Sequence, residues 1–475
     1  MEKESKMSVN NNIWKIGLAV LLGVSLTACN ISEDEDDDSS TGYGYFRFAN
    51  LVAGSSDIEL VMDDSSFAEI GFAEASELEA VTKGSYDLEF NQILPNTDND
   101  NFIDDSDVTI KTDYIYSYLL YGDDPDAPEA LTIRTDVDDL YDDDYDDGQA
   151  RFQFFQASSD LADVDIYLVE EGDDTLNQSV YTSLSYMSES EEFDHDEGIY
   201  KIIVTESGSD SVLIEADNIS IEEANAYVFA LVSYDIANSD SPRYALVVLD
   251  SSGARMVTND AQTAVVRINN AMANTDGIDV YQTKGDDLTL VASDLYFGES
   301  SDGYEMDISD VDDGDNVTFY IYDAGADIET DSALISDDYD VEPDSQRMIV
   351  LAGDRTDDVV MASGEQDLSI QKTHAKLIFT HAIDTESSDY LEIVVVEDGG
   401  DPDNYNTAVT LSYLGSEEYE IEQGDYQVYV YREDDGVWLA ELNLNNLEEA
   451  DVVSLTVTES QYGGTPYEIQ KVVYD

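Results

Sequence analysis

Four stretches of this chain repeat one pattern, and the repeat limits the fold more than any other feature. "GYFRFANLVAGSSDIELVM" begins at Gly44, "ARFQFFQASSDLADVDIYLV" at Ala150, "AVVRINNAMANTDGIDVYQT" at Ala264 and "AKLIFTHAIDTESSDYLEIVVV" at Ala375. Each is an alternating strand, a small polar turn and a second alternating strand. The starts lie 106, 114 and 111 residues apart, the length of a domain rather than of a solenoid unit. In "DVDIYLV", Val164, Ile166 and Leu168 share one face, and Asp165 and Tyr167 the other. In "GDYQVYVY", Tyr426, Val428 and Val430 alternate with Gln427, Tyr429 and Tyr431. A period of two is that of half-buried strands. The spacing predicts an all-β chain of four tandem immunoglobulin-like antiparallel β-sandwich domains, with a small barrel as the alternative. The expected copies are 44–137, 150–252, 264–364 and 375–475, joined by linkers 138–149, 253–263 and 365–374.

Ahead of the repeats, Lys3, Lys6 and Lys15 precede an uncharged run from Ile16 to Ala28. A basic region, a short apolar run and small residues make the layout of a secretory signal, too short for a comfortable membrane span. Leu26-Thr27-Ala28-Cys29 resembles the lipobox of bacterial lipoproteins. The resemblance implies that residues 1–28 are removed and that Cys29, the only cysteine, carries the lipid anchor. More than one acyl chain is needed for stable anchoring. Asn30 in place of Asp weakly favours the outer membrane. Residues 29–43 then read as a lipidated acidic tether, with Glu33 to Asp38 all carboxylate.

Beyond residue 28 the chain has 107 acids against 16 bases. That argues against nucleic acid, whose affinity comes from Lys and Arg on phosphates, and against docking on anionic lipid heads. Such charge repels itself and suits a salty or cation-rich medium. Hydrophobic residues at 42% and 32 tyrosines are nevertheless enough for folded cores. One cysteine allows no intramolecular disulfide.

The repeat also resembles the bacterial domain of unknown function family numbered 4397. Its opening strand, "His-Ala-Ser-Pro-Asp" turn and Asp-Val-Tyr strand correspond to Phe155–Tyr167, Asn270–Tyr281 and the segment from Thr380. A "Phe-Gly" step is found at Phe297-Gly298 and more loosely at Leu414-Gly415. The turn proline is absent from every copy, and copy one diverges most. The resemblance implies a sandwich fold and a cell-envelope setting, not an activity.

Catalytic patterns are scarce. His195, His374 and His381 lack metal-ligand spacing, and no P-loop, GxSxG or GxGxxG occurs. Ser369-Ile370-Gln371-Lys372 matches S-x-x-K without partner motifs. One segment, "NTDNDNFIDDSD", places oxygen ligands at Asn96, Asp98, Asp100, Asp104 and Asp107, with the Phe102 carbonyl, in a 12-residue spacing like an EF-hand or dockerin loop. Calcium binding there is one expectation, and a solvated acidic hairpin is the other. No other cofactor is called for. The functional expectation is a lipid-anchored envelope protein that displays its sandwiches in a structural or ligand-binding role, without catalysis. Glycans or another envelope protein are the candidate partners. An adhesin-like or polysaccharide-binding protein is the first alternative, which Tyr and Trp exposed on one face would favour. A hydrolase with an unrecognised carboxylate site is the second.

Overall fold

The computed structural model describes residues 42–95, 100–137, 140, 148–170, 179–237, 239, 241–284, 287–306, 317–386 and 389–474. The signal segment, Leu26, Thr27, Ala28, Cys29 and the acidic tether lie outside the described residues. So does most of the stretch 138–147.

Among the described residues eight sheets form, two for each repeat. In copy one the strand Tyr43–Val52 lies beside Tyr114–Gly122, which pairs with Glu129–Asp136, and the short strands Glu74–Ala75 and Glu79–Thr82 take its other edge. The second sheet orders Ser65–Ile70, Ile58–Met62, Gly84–Gln92 and Asp100–Ile110. Copies two to four repeat this plan around their opening strands Gln149–Gln156, Ala264–Asn270 and Ala375–Ala382. Every pairing is antiparallel except one per copy. The opening strand runs parallel to its neighbour, as Tyr45↔Ile115, Arg151↔Ala226, Val265↔Gln346 and Lys376↔Val452. The stretch expected as the linker 253–263 contributes a fifth strand, Gly253–Val257, to the first sheet of copy two.

Alternation fills the four cores as expected. Val164, Ile166 and Leu168 enter the core of copy two, and Val428 and Val430 that of copy four. The opening strands, however, are buried on both faces. Phe46, Phe48 and Val52 face the first core, while Ala49 and Leu51 join a separate cluster with Phe155, Val228, Ala230, Val247 and Leu249 of copy two. The first sheets of copies one and two are therefore packed face to face. Reciprocal bonds mark the contact: Arg47 Nη1 donates to the Asp250 carbonyl and Arg151 Nη1 to that of Asp136, each at 2.6 Å. The acidic stretch 138–149 thus does not hold these two copies apart. Copies three and four do the same. Met348, Val350 and Ala352 meet Ile378, Ala382, Val452 and Tyr474, and Asn269 Nδ2 donates to Thr456 Oγ1 at 2.7 Å. Each pair of copies is a stack of four layers with its second sheets outermost.

The family-like turn has a local cause. At or just before its end the opening strand carries a buried polar side chain, Asn50, Gln156, Asn270 or His381. Its side chain accepts from the N–H two residues on, at Val52, Ser158, Met272 and Ile383. Its carbonyl accepts from Ala73, Met187, Gly298 and Leu414. All four of these donors have positive φ, between 59° and 84°. That conformation explains the glycine of the Phe-Gly step, because only glycine occupies it without a steric cost. In copy four the step is Tyr413-Leu414, one residue before the expected Leu414-Gly415. Three residues later, Ser76, Ser190 and Ser301 exchange two bonds with the opening strand in copies one to three.

Candidate functional site

Most of the residues singled out in the sequence are spent on structure. Residues 100–107 of the expected calcium loop belong to the strand Asp100–Ile110, paired with Gly84–Gln92, with Asp100 opposite Gln92 and Asp104 opposite Glu89. A strand advances about 3.3 Å per residue, so the backbones of Asp100 and Asp107 are spread along it. Phe102 packs against the first core. Asn96 and Asp98 lie outside the described residues. No metal-ligating cluster occurs among the described residues.

The three histidines sit apart. His195 packs on Tyr200 with ring centroids 5.0 Å apart. His374 is fully buried beside Thr373 Oγ1. His381 closes the turn of copy four through Nδ1, and burial pushes its pKa down to about 4. Lys372 of the S-x-x-K match donates from its backbone to Gly54 and from Nζ to the Asp123 carbonyl, tying the segment to copy one. The aspartates of the family-like Asp-x-Tyr strand are turn clamps. Asp165 accepts from the Gly208 N–H and Asp279 from the Gly325 N–H, both at 2.8 Å.

Where copies one, two and three meet, a cleft of about 590 Å³ is lined by Phe72, Tyr234, Met256, Asp344 and Gln366. Burial raises the Asp344 pKa against the opposing effect of Arg243. Arg243 Nη1 reaches Oδ1 at 3.0 Å, and the Tyr234 hydroxyl lies 3.4 Å from both oxygens. This carboxylate is the buried half of an ion pair joining copies two and three. A second raised carboxylate, Asp260, reaches about 6 through burial and then the charges of Asp217 and Glu215. Lys201 bridges those two neighbours at 2.9 and 2.6 Å.

One surface is not spent in this way. The second sheet of copy four orders Val409–Leu411, Leu391–Glu397, Gly424–Arg432 and Trp438–Leu447. With Val428 and Val430 in the core, Gln427, Tyr429 and Tyr431 face outward. The register sets Thr410, Glu392, Tyr431 and Trp438 in one row across all four strands. Val394, Tyr429 and Glu441 form the next row, and Val396, Gln427 and Asn443 the third. Trp438 would share the core face with Ala440 and Leu442 by strict alternation. A register shift between Val430 and Tyr431 inserts Leu439, which packs against the core instead, and Trp438 is turned out with 53% of its surface exposed. Bulges commonly re-aim a side chain in this manner.

The loop after Glu397 folds over one side of this face. Pro402–Asn404 makes a single 3₁₀ turn capped by Asp401, and Tyr405 remains 39% exposed. A Cβ on Gly400 would meet Val396 Cγ1 at 2.5 Å and the Tyr405 hydroxyl at 2.8 Å, so glycine is what lets the loop lie this close. Burial and then the charge of Asp403, with smaller effects from Tyr429, Asp401 and Glu441, raise the Tyr431 pKa. The result is a rigid strip of aromatic rings rimmed by carboxylates and amides. Such rings offer flat apolar area, and the Tyr hydroxyls and Trp N–H add hydrogen bonds.

Residues 44–167 match the family described as Domain of unknown function (DUF4397). The chain resembles that domain family across this span. No curated protein matches the sequence. Among solved structures, the family CBM26 module CBMbc of Eubacterium rectale Amy13K, in complex with maltoheptaose, is 11% identical. It covers 46% of this chain and 99% of its own, with a TM-score of 0.17. The Bacillus anthracis TIE protein is 7% identical over 89% of this chain and 75% of its own, at a TM-score of 0.15. The major pilin subunit BcpA of Bacillus cereus is 11% identical over 65% of this chain and 99% of its own, also at 0.15.

Proposed function

We propose that this protein is an envelope lipoprotein, anchored through Cys29, that holds an uncharged polysaccharide on the outer face of its fourth copy. The observation that carries the reading is the outward row of the half-buried Tyr431 and the exposed Trp438, with Tyr429 in the next row, on a sheet whose backbone is fixed by its ladder. A pyranose ring has an apolar C–H face and a rim of hydroxyls. Tyr and Trp rings match the first, and Glu392, Gln427, Glu441 and Asn443 match the second. Rigid aromatic anchors lose little conformational freedom on binding.

Charge selects among glycans. A chain with a formal net charge of −90 repels anionic polymers, and the strip itself is rimmed by Asp401, Asp403, Glu392 and Glu441. A neutral sugar meets no such penalty, and carboxylates accept hydrogen bonds from its hydroxyls. The anchor at Cys29 rests on the lipobox resemblance and the apolar run before it. Labelling of the expressed protein with a fatty-acid analogue tests it: label lost in Cys29→Ser supports the anchor, and label retained refutes it.

The binding reading is tested by affinity electrophoresis of the mature protein in gels containing pullulan, laminarin, xyloglucan or alginate. Retardation by at least one neutral polymer and not by alginate is expected. Retardation by none of the neutral polymers, or equally by alginate, removes the reading.

A further inference from the structure

We infer that copy three carries a second sugar-binding face turned the opposite way, so that one chain bridges two polysaccharide strands. The inference rests on the polysaccharide reading of copy four.

The same register positions carry the argument. Tyr429 and Tyr431 of copy four stand opposite Val394 and Glu392. In copy three the equivalent residues are Tyr320 and Tyr322, opposite Tyr281 and Asp279. Copies one and two differ: Glu89 and Asn91 occupy these positions in the first, and Ile203 and Thr205 in the second. Tyrosines at both positions are therefore a property of the last two copies; in copy three Tyr322 is buried and braces Tyr281, so the half-buried Tyr281 and Tyr320 are the rings that this face presents.

The third face is completed in its own way. Tyr281 lies opposite Leu290, and Thr283 opposite Leu288. Register shifts around Val280 leave Val291 on the core and turn Leu290 outward, as Leu439 does for Trp438. Leu290 and Leu288 are 45% and 40% exposed. Tyr281 and Tyr322 meet edge to face at 5.7 Å, which fixes both rings. The row Leu290, Tyr281, Tyr320, Ser336 thus crosses all four strands of the sheet.

Direction follows from the stacking. The first sheets of copies three and four are packed against each other, so the second sheets lie on opposite outer sides of a four-layer stack. Packed sheets are about 10 Å apart, which separates the two aromatic faces by roughly 30 Å across the stack. Facing apart, they cannot grip one short stretch of a single sugar chain. Each takes its own strand, and linking two sites on one rigid body raises avidity on a polymer without new contacts.

The test uses the mature full chain with pullulan, laminarin and xyloglucan, and with short oligosaccharides cut from each. Calorimetry is expected to give two oligosaccharide sites per chain, and light scattering to show growth of polymer aggregates on adding protein. Tyr320→Ser should leave one site and abolish the growth in scattering. Leu290→Ser, at an exposed position, checks that the loss is local. Trp438→Ala should likewise leave one site. One site in the wild type that Trp438→Ala abolishes overturns the bridging inference and leaves the first reading standing. Two sites unaffected by both Tyr320→Ser and Leu290→Ser overturn it as well. No binding to any neutral glucan removes both.

Discussion

Tyr431 and Trp438 are direct register partners on adjacent strands, and both are carried on the face turned away from the fourth core. The pairing depends on the inserted Leu439 rather than on strict alternation, and it sets two aromatic rings side by side outside the core.

Because Trp438 is exposed, its removal should separate binding from stability. Trp438→Ala is expected to change unfolding free energy by no more than about 0.5 kcal/mol. It should weaken binding to the neutral polymer by tenfold or more, as loss of a central aromatic anchor does. Urea unfolding and calorimetry on the same sample check both. A large loss of stability would show that the ring is packed rather than presented.

His381 makes copy four acid-sensitive. Its buried ring is held neutral in the folded form, with a pKa of about 4 against 6.5, and its Nδ1 accepts from Ile383. Below pH 6.5 the unfolded chain binds a proton that the folded chain refuses, so stability is full above that pH and falls as pH drops towards 4. Copies one and three use Asn at the same position. His381→Asn should keep the fold and lessen the loss of stability between pH 7 and 4.5. An unchanged pH profile of the unfolding midpoint would contradict this.

Met187 holds φ at 63° and is 46% exposed. A left-handed residue with a side chain costs about 1–2 kcal/mol, partly offset by the greater freedom that glycine loses on folding. Met187→Gly should therefore stabilise copy two, by up to about 1 kcal/mol. Thermal unfolding of the two proteins decides it, and a lower midpoint for the variant would count against the turn assignment.

Arg267 is a buried cation at the contact of copies three and four. It donates from Nη2 to the Ala237 carbonyl and lies 5.0 Å from the Tyr474 ring, while Nε and Nη1 find no hydrogen-bond partner among the described residues. Burial lowers its pKa. Replacing such a charge by an apolar side chain of similar length is often neutral or stabilising, by about 1–4 kcal/mol. Arg267→Met should not reduce the denaturant midpoint, whereas Arg267→Ala should, through the cavity it leaves.

The family-like turn was legible as a motif, but its mechanism was not. Small and polar residues at Asn50, Gln156, Asn270 and His381 look unrelated in sequence. They share a task only because each must bond the N–H two residues on. The strand within the acidic segment at 96–107 was not legible: residues 100–110 pair with Gly84–Gln92 and satisfy their backbone in the ladder. Ligand spacing says nothing about a competing strand partner far away in the chain.

The sequence by itself determined the strands, the fourfold repeat and the inner face of most strands, because a period of two follows from backbone geometry alone. It also placed Gln427, Tyr429 and Tyr431 together on one face, opposite Tyr426, Val428 and Val430. Tertiary structure alone decided that the copies pack in back-to-back pairs, since burial of an opening strand on both faces depends on what another copy brings to it. It alone turned Trp438 and Leu290 outward. A single inserted residue reverses alternation, and whether one is inserted is settled by the register of the partner strand.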